Sequence, residues 1–153
     1  MADQIIKRQI TKPDKNEEVL LGIDYGEAKI GLAFGRNGNA MPIDIIKTRD
    51  FHTAIKHIND AAIKNSVTKI IVGLPLSYDS KETVQSHKVR SFVKLLKHYL
   101  KLPVEFVNEF GSSADAQGYL LSTGASRNRS TVEDDIAAAL ILKEYYNQQE
   151  SKN

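Results

Sequence analysis

The stretch LLGIDYGEAKIGLAFG, residues 20–35, constrains the fold more than any other part of the chain. Its flanks, Val19 to Ile23 and Lys29 to Phe34, are apolar runs that read as strands, joined by a short turn that includes Gly26. Strands joined by so few residues must be antiparallel neighbours. The first is too hydrophobic for a sheet edge, yet it ends on a carboxylate, Asp24. Burying a carboxylate is costly unless something pairs with it. Asp24 can cap the turn that follows, or it can belong to a site; the hairpin alone leaves both open.

The rest of the chain supplies the partners. GRNGN makes a second turn, and residues 40–48 a third strand whose Pro42 marks an irregular start or an edge. This is a three-stranded antiparallel meander. A helix is predicted from about Thr53 to Asn65, with Ile55, Ile58, Ala62 and Ile63 at helical spacing. KIIVGLP, ended by Gly73 and Pro75, reads as a buried strand, parallel because a helix precedes it. A longer helix, about Glu82 to Lys101, buries Val89, Phe92, Val93, Leu96 and Leu100. Its other side carries Arg90, Lys94, Lys97 and Lys101 as a basic stripe. PVEFV is a fifth strand ending at Asn108–Glu109. A helix from about Ser113 to Leu121, the polar loop STGASRNRST and a last helix from Glu133 to about Asn147 follow. The order β-β-β-α-β-α-β-α-α with right-handed crossovers predicts an α/β fold: one mixed five-stranded sheet flanked by helices, strand 1 near its middle.

Composition narrows the classes. A chain of 153 residues is most simply one domain. Residues 18–148 are expected to form it, with a flexible amino-terminal tail over 1–17 and a carboxy-terminal tail over 149–153. The absence of cysteine excludes disulfides and thiolate metal sites and suits a reducing compartment. No apolar run approaches ~20 residues, and MADQIIKRQITKPDKNEE is too polar and acidic for a signal peptide. A cytoplasmic protein without a membrane partner is expected. A net charge of +2 is too mild to identify a nucleic-acid partner, but it can hide a basic face beside an acidic cleft.

Three strand ends carry the chemistry: IDYG, VGLP and VNEF. If these strands are parallel, all three ends emerge at the carboxyl edge, where open α/β sheets bind ligands. Topology would then bring Asp24 to Glu109. TVEDD puts Asp134 and Asp135 in the first turn of the last helix, where one of them could join. Carboxylates so close repel: at an effective dielectric near 20, a pair at about 4 Å costs roughly 4 kcal/mol. Protonation or a bound cation relieves this. All-oxygen ligands suit magnesium or manganese. Two such ions, roughly 3.5–4 Å apart, activate water and stabilise the leaving oxygen of a phosphodiester. Each acid also has a plainer role. Glu109 can be a solvated loop residue, and Ser130 and Thr131 stand at capping-box spacing from Glu133 and Asp134. His52, His57, His87 and His98 share no metal-ligand spacing and read as helix-surface residues. Tyr25 can stack on a base but reads better as packing. The basic stripe is either a solvated face or a track along phosphates. Gly73 permits close backbone approach, a weak sign of a phosphate cradle.

IDYGEAKIGLA, IIVGLPLSYD, VNEF…SADA and EDDIAAALIL, in this order, resemble the YqgF (RuvX-like) family over roughly residues 18–146. These are ribonuclease H-like proteins associated with Holliday junction resolution and pre-16S ribosomal RNA cleavage. The resemblance implies a metal-dependent nuclease whose catalytic and metal-binding acids fall on Asp24, Glu109 and Asp134, with Asp135 the fallback. Asp24 would bridge Mg²⁺ or Mn²⁺ ions; Lys29, Gly73, Arg127 and Arg129 would contact substrate. The expected substrate is precursor 16S rRNA at its 5′ end, with branched DNA the alternative. Symmetric cutting of a junction would need a dimer, and a monomer or weak homodimer is expected. The sequence departs from the family at Ala28–Lys29, where Lys-Arg is common, and at Asn108–Glu109–Phe110, where Asp-Glu-Arg is usual. Losing that arginine removes a bidentate fork that Lys29 cannot reproduce. A non-catalytic nucleic-acid or ribosome-associated binding module is therefore a third reading.

Overall fold

The computed structural model describes residues 17–47, 49–109 and 129–152, and of residues 129–135 the backbone alone. Its elements are β1 (Val19–Tyr25), β2 (Ile30–Arg36), β3 (Asn39–Ile46), α1 (Phe51–Lys64), β4 (Lys69–Leu74), α2 (Val84–Tyr99), β5 (Val104–Asn108) and α3 (Arg129–Ser151). The expected helix over 113–121 lies outside the described residues.

The five strands form one sheet in the order β3-β2-β1-β4-β5. β1 pairs antiparallel with β2, and β2 with β3. β1 pairs parallel with β4, and β4 with β5. This is the mixed sheet expected from the sequence, with strand 1 at its centre. Pro42 stands on the edge strand β3, beside a register shift that lets Leu32 face Asp44 and Ala33 face Pro42. A residue with no N–H to donate belongs at such a place.

β1 reads as a continuous apolar run because helices cover both faces of the sheet. Its odd residues Val19, Leu21 and Ile23 join a core with Ala54, Ile55 and Ile58 of α1 and Val89, Phe92, Val93 and Leu96 of α2. Its even residue Leu20 joins a second core with Ile71, Val107 and, from α3, Ala138, Ala139, Ile141 and Leu142. Gly22 lets α3 settle against β1: a β-carbon there would stand 2.6 Å from Leu142 Cγ and 2.8 Å from the Ala138 carbonyl oxygen.

Helix ends follow their caps. α1 begins at Phe51 rather than Thr53 because Asp50 caps it, accepting from the His52 N–H at 3.1 Å and the Thr53 hydroxyl at 2.6 Å. α2 begins after Thr83, which forms a capping box with Ser86. The five apolar positions expected beneath α2 are all buried. Ile63 is a correction: it is 70% exposed, while Ala54 takes a place in the core. The face of α1 toward the sheet runs Ala54, Ile55, Ile58 and Ala62, and each further residue turns about 100° round the helix. Ile63 is thereby carried into solvent. α3 extends past both expected ends, from Arg129 to Ser151. Among the described residues no helix is long and apolar enough to cross a membrane.

Candidate functional site

Strand alternation decides which side chains meet at the carboxyl edge. In β1, Asp24 follows Leu20 and Gly22 onto the α3 side of the sheet. In β4, Gly73 follows Ile71 onto that side, and in β5 Val107 does the same. Glu109 stands two residues past Val107. Its backbone N–H donates to the Leu74 carbonyl at 2.9 Å, carrying the β4–β5 ladder one step beyond the strand. That bond fixes the Glu109 backbone beside the end of β4.

The Glu109 side chain then lies across the bare α-carbon of Gly73 and is hydrogen-bonded to the Asp24 side chain. Topology has brought together two acids far apart in sequence. Burial pushes the Glu109 carboxyl up to about 8, helped by the charge of Asp24 and by the hydrogen bond to it. The raised value favours the protonated form of Glu109, so that the two acids can share a proton across their hydrogen bond.

α3 runs antiparallel to β1. Near its carboxy-terminal end, the Tyr145 hydroxyl meets Lys69 Nζ at 3.1 Å, at the start of β4. Further back, Ala138 lies over Gly22. Asp134 is one helical turn before Ala138, in the direction of the carboxyl edge. The side chains of Asp134, Asp135 and Arg129 fall outside the description, as do Arg127 and Phe110 altogether. Among the described residues, no three His, Asp or Glu side chains gather into a metal-holding group.

The remaining expected residues are placed as follows. Lys29 closes the β1–β2 turn, its carbonyl accepting from the Gly26 N–H at 2.9 Å, and is exposed at the carboxyl edge. Tyr25 points to the other face and stacks on Phe92, ring centroids 4.5 Å apart, in the packing role expected of it. The four histidines lie on helix surfaces; His57 Nε2 is 2.8 Å from Asp44 Oδ2. In the basic stripe, Arg90 bonds Glu82 and lies over the Phe106 ring, 5.1 Å from its centroid. Lys94, Lys97 and Lys101 are exposed. Sequence reading missed the part Gly73 plays toward Glu109. The signal was present, since a glycine inside a β-branched strand marks a close approach.

Comparison with known proteins follows the same lines. A family model described as RuvX: Holliday junction resolvase matches residues 18–148. A Bordetella parapertussis protein named "Putative pre-16S rRNA nuclease" is 37% identical over 131 residues, covering 84% of this chain and 93% of its own. A protein of the same name from Orientia tsutsugamushi is 33% identical over 127 residues, covering 81% and 80%. Among solved structures, the fold is similar to Thermus thermophilus RuvC in complex with a Holliday junction substrate. That match has a TM-score of 0.56 at 15% identity and covers 86% of this chain and 96% of that one. The fowlpox virus resolvase bound to Holliday junction DNA matches with a TM-score of 0.51 at 17% identity, covering 86% and 98%. These two likenesses establish a resolvase-type, ribonuclease H-like fold.

Proposed function

The chain belongs to the RuvX family, and from that membership we propose that it is a cytoplasmic, divalent-metal-dependent nuclease that trims precursor 16S rRNA at its 5′ end. The observation that carries the chemistry is the contact between the Asp24 and Glu109 carboxyls at the carboxyl edge. Two carboxyls in contact form a site that a hard cation fits, because the cation relieves their repulsion with the same oxygens as ligands. Asp24, Glu109 and Asp134 would hold Mg²⁺ or Mn²⁺, which supplies a Lewis acid and an activated water for phosphodiester hydrolysis. Asp134 is preferred to Asp135 because it matches the family's Asp three residues before an Ala-Ala pair, here Ala137–Ala138.

The chain's own residues do the rest. Glu109 would have to be deprotonated to serve as a ligand. Gly73 leaves the space in which the Glu109 carboxyl lies. Lys29, at the exposed turn beside Asp24, brings a positive charge to the phosphates, and Arg127 and Arg129 would add positive charge for the same phosphates. The nuclease domain spans 18–148.

The test is cleavage of precursor 16S rRNA and of a four-way DNA junction by the purified protein, with Mn²⁺, with EDTA, and with Asp24→Asn. Metal-dependent RNA cleavage that disappears in the variant supports the reading. Cleavage that persists unchanged in Asp24→Asn overturns the site. The family description as a Holliday junction resolvase favours branched DNA as the second substrate. Cleavage confined to the junction, by a dimer in sedimentation, would select that reading.

A further inference from the structure

Tyr25 follows Asp24 in β1 but faces the opposite side of the sheet. There a cavity of about 800 Å³ opens at the same carboxyl edge, between the β1–β2 turn and the first turns of α1 and α2. The volume is within the roughly 300–1,000 Å³ range of small-ligand sites. Its floor is aromatic: Tyr25 stacked on Phe92, and Phe51 centred 6.3 Å from Phe92 and still 46% exposed. Its rim carries the cations Arg49 and Lys88, both exposed. Two acids, Glu27 and Asp50, stand on the same rim and balance those two charges. Glu27 bonds Lys88, which with Arg49 holds its carboxyl below the usual range, and Asp50 caps α1.

An aromatic floor with the exposed Arg49 on its rim suits a nucleotide, since bases stack on aromatic rings and phosphates seek Arg. We propose that this cavity receives one unpaired nucleotide of the bound strand, its base against Phe51 and Tyr25 and its phosphate on Arg49. The inference deepens the nuclease reading and rests on it for the choice of ligand. A strand that presents its cleaved bond to Asp24 crosses the sheet edge at Tyr25, so the cavity takes a nucleotide flanking that bond. A base paired in a duplex hides its faces in the stack and cannot enter. The cavity thereby selects single-stranded or frayed substrate.

The test uses a short single-stranded RNA containing 2-aminopurine, in EDTA so that no cleavage occurs. Binding to the wild type should quench the fluorophore in the single strand, and the same sequence annealed into a duplex, already dim from stacking, should show no further change on adding protein. Ser91→Leu, which fills the cavity from α2, and Phe51→Ser, at an exposed position, should each weaken single-strand binding about tenfold, within the range for one stacked base. Mn²⁺ binding, followed by calorimetry, should be unaltered in both. Circular dichroism melting identifies a variant that fails to fold, in which case the other one decides. The proposal is overturned if the wild type does not quench, if duplex quenches equally, or if the folded variants bind like wild type. Absence of cleavage in a wild type that still quenches, with the quench lost in the variants, would remove the nuclease reading and leave the cavity. Cleavage by a wild type whose variants bind and cleave alike would do the reverse.

Discussion

The carboxyl of Glu109 occupies the place where any residue other than glycine at position 73 would put its side chain. A β-carbon on Gly73 would stand 2.5 Å from Glu109 Cδ and 2.6 Å from its Cγ, against the roughly 3.5–4.0 Å that carbon atoms accept. What yields is a flexible side chain rather than backbone. Gly73→Ala is therefore expected to keep the fold, with a melting temperature within a few degrees of wild type, while swinging Glu109 away from Asp24. Mn²⁺ affinity by calorimetry should fall at least about tenfold, and cleavage about a hundredfold, the scale expected when groups that orient a metal site are disturbed. Wild-type Mn²⁺ affinity in the folded variant would refute this account of Gly73.

Asp24 is predicted to be a functional residue that costs stability. Its charge helps to raise the Glu109 carboxyl, so once both are ionised the two acids oppose each other in the metal-free protein. Asp24→Asn removes that opposition and keeps a hydrogen-bonding carbonyl. In EDTA above about pH 8 the variant should melt at or above the wild-type temperature, while cleavage with metal falls by about a thousandfold or more. A clear drop in melting temperature would show that the carboxylate stabilises the fold instead.

The raised Glu109 carboxyl fixes the sign of the pH dependence. It binds a proton in the folded state up to about pH 8, whereas in the unfolded chain it loses it near the ordinary glutamate value of about 4.3. The folded state holds more protons between those limits, so metal-free stability should decline as pH rises from about 4 to 8. Urea titrations in EDTA at a series of pH values would measure this. Glu109→Gln, which cannot ionise, should flatten the decline and be more stable than wild type above pH 8 by about 1–2 kcal/mol. A wild-type curve parallel to that of the variant would contradict the assignment.

The same proton must leave before Glu109 can ligate a cation. Apparent Mn²⁺ affinity should rise up to about tenfold per pH unit below 8 and level off above it. Calorimetry in two buffers of different ionisation heat should detect close to one proton released at pH 7. Uptake of protons, or none exchanged, would exclude a protonated Glu109.

Gly22→Ala should behave differently from Gly73→Ala, because the atoms it meets include the Ala138 carbonyl of the α3 backbone as well as the buried Leu142 side chain. Overpacking of this kind costs about 1–3 kcal/mol, measurable by urea denaturation. It should also displace the helix that carries Asp134, so cleavage should fall further than the loss of stability accounts for. Unchanged activity in the folded fraction would detach α3 from the site.

Local pattern was enough for the described elements, their order and the sheet. The apolar runs around Asp24 fixed a hairpin, Pro42 marked the edge strand, and helices before KIIVGLP and PVEFV required parallel strands whose ends share one edge with Asp24. Those inferences depend on periodicity and connection length, which the sequence carries within a few residues of each position. Ile63 shows where this fails: spacing alone could not say where the buried arc of α1 ends, since the sheet's position decides which face is covered. The proton on Glu109, the use of Gly73 as space for a carboxyl, and the aromatic floor of Tyr25 and Phe92 belong to the tertiary structure. Each is a relation between atoms a few ångströms apart on different elements. Burial and charge at that range depend on the depth and register of docking, which no local stretch of sequence encodes.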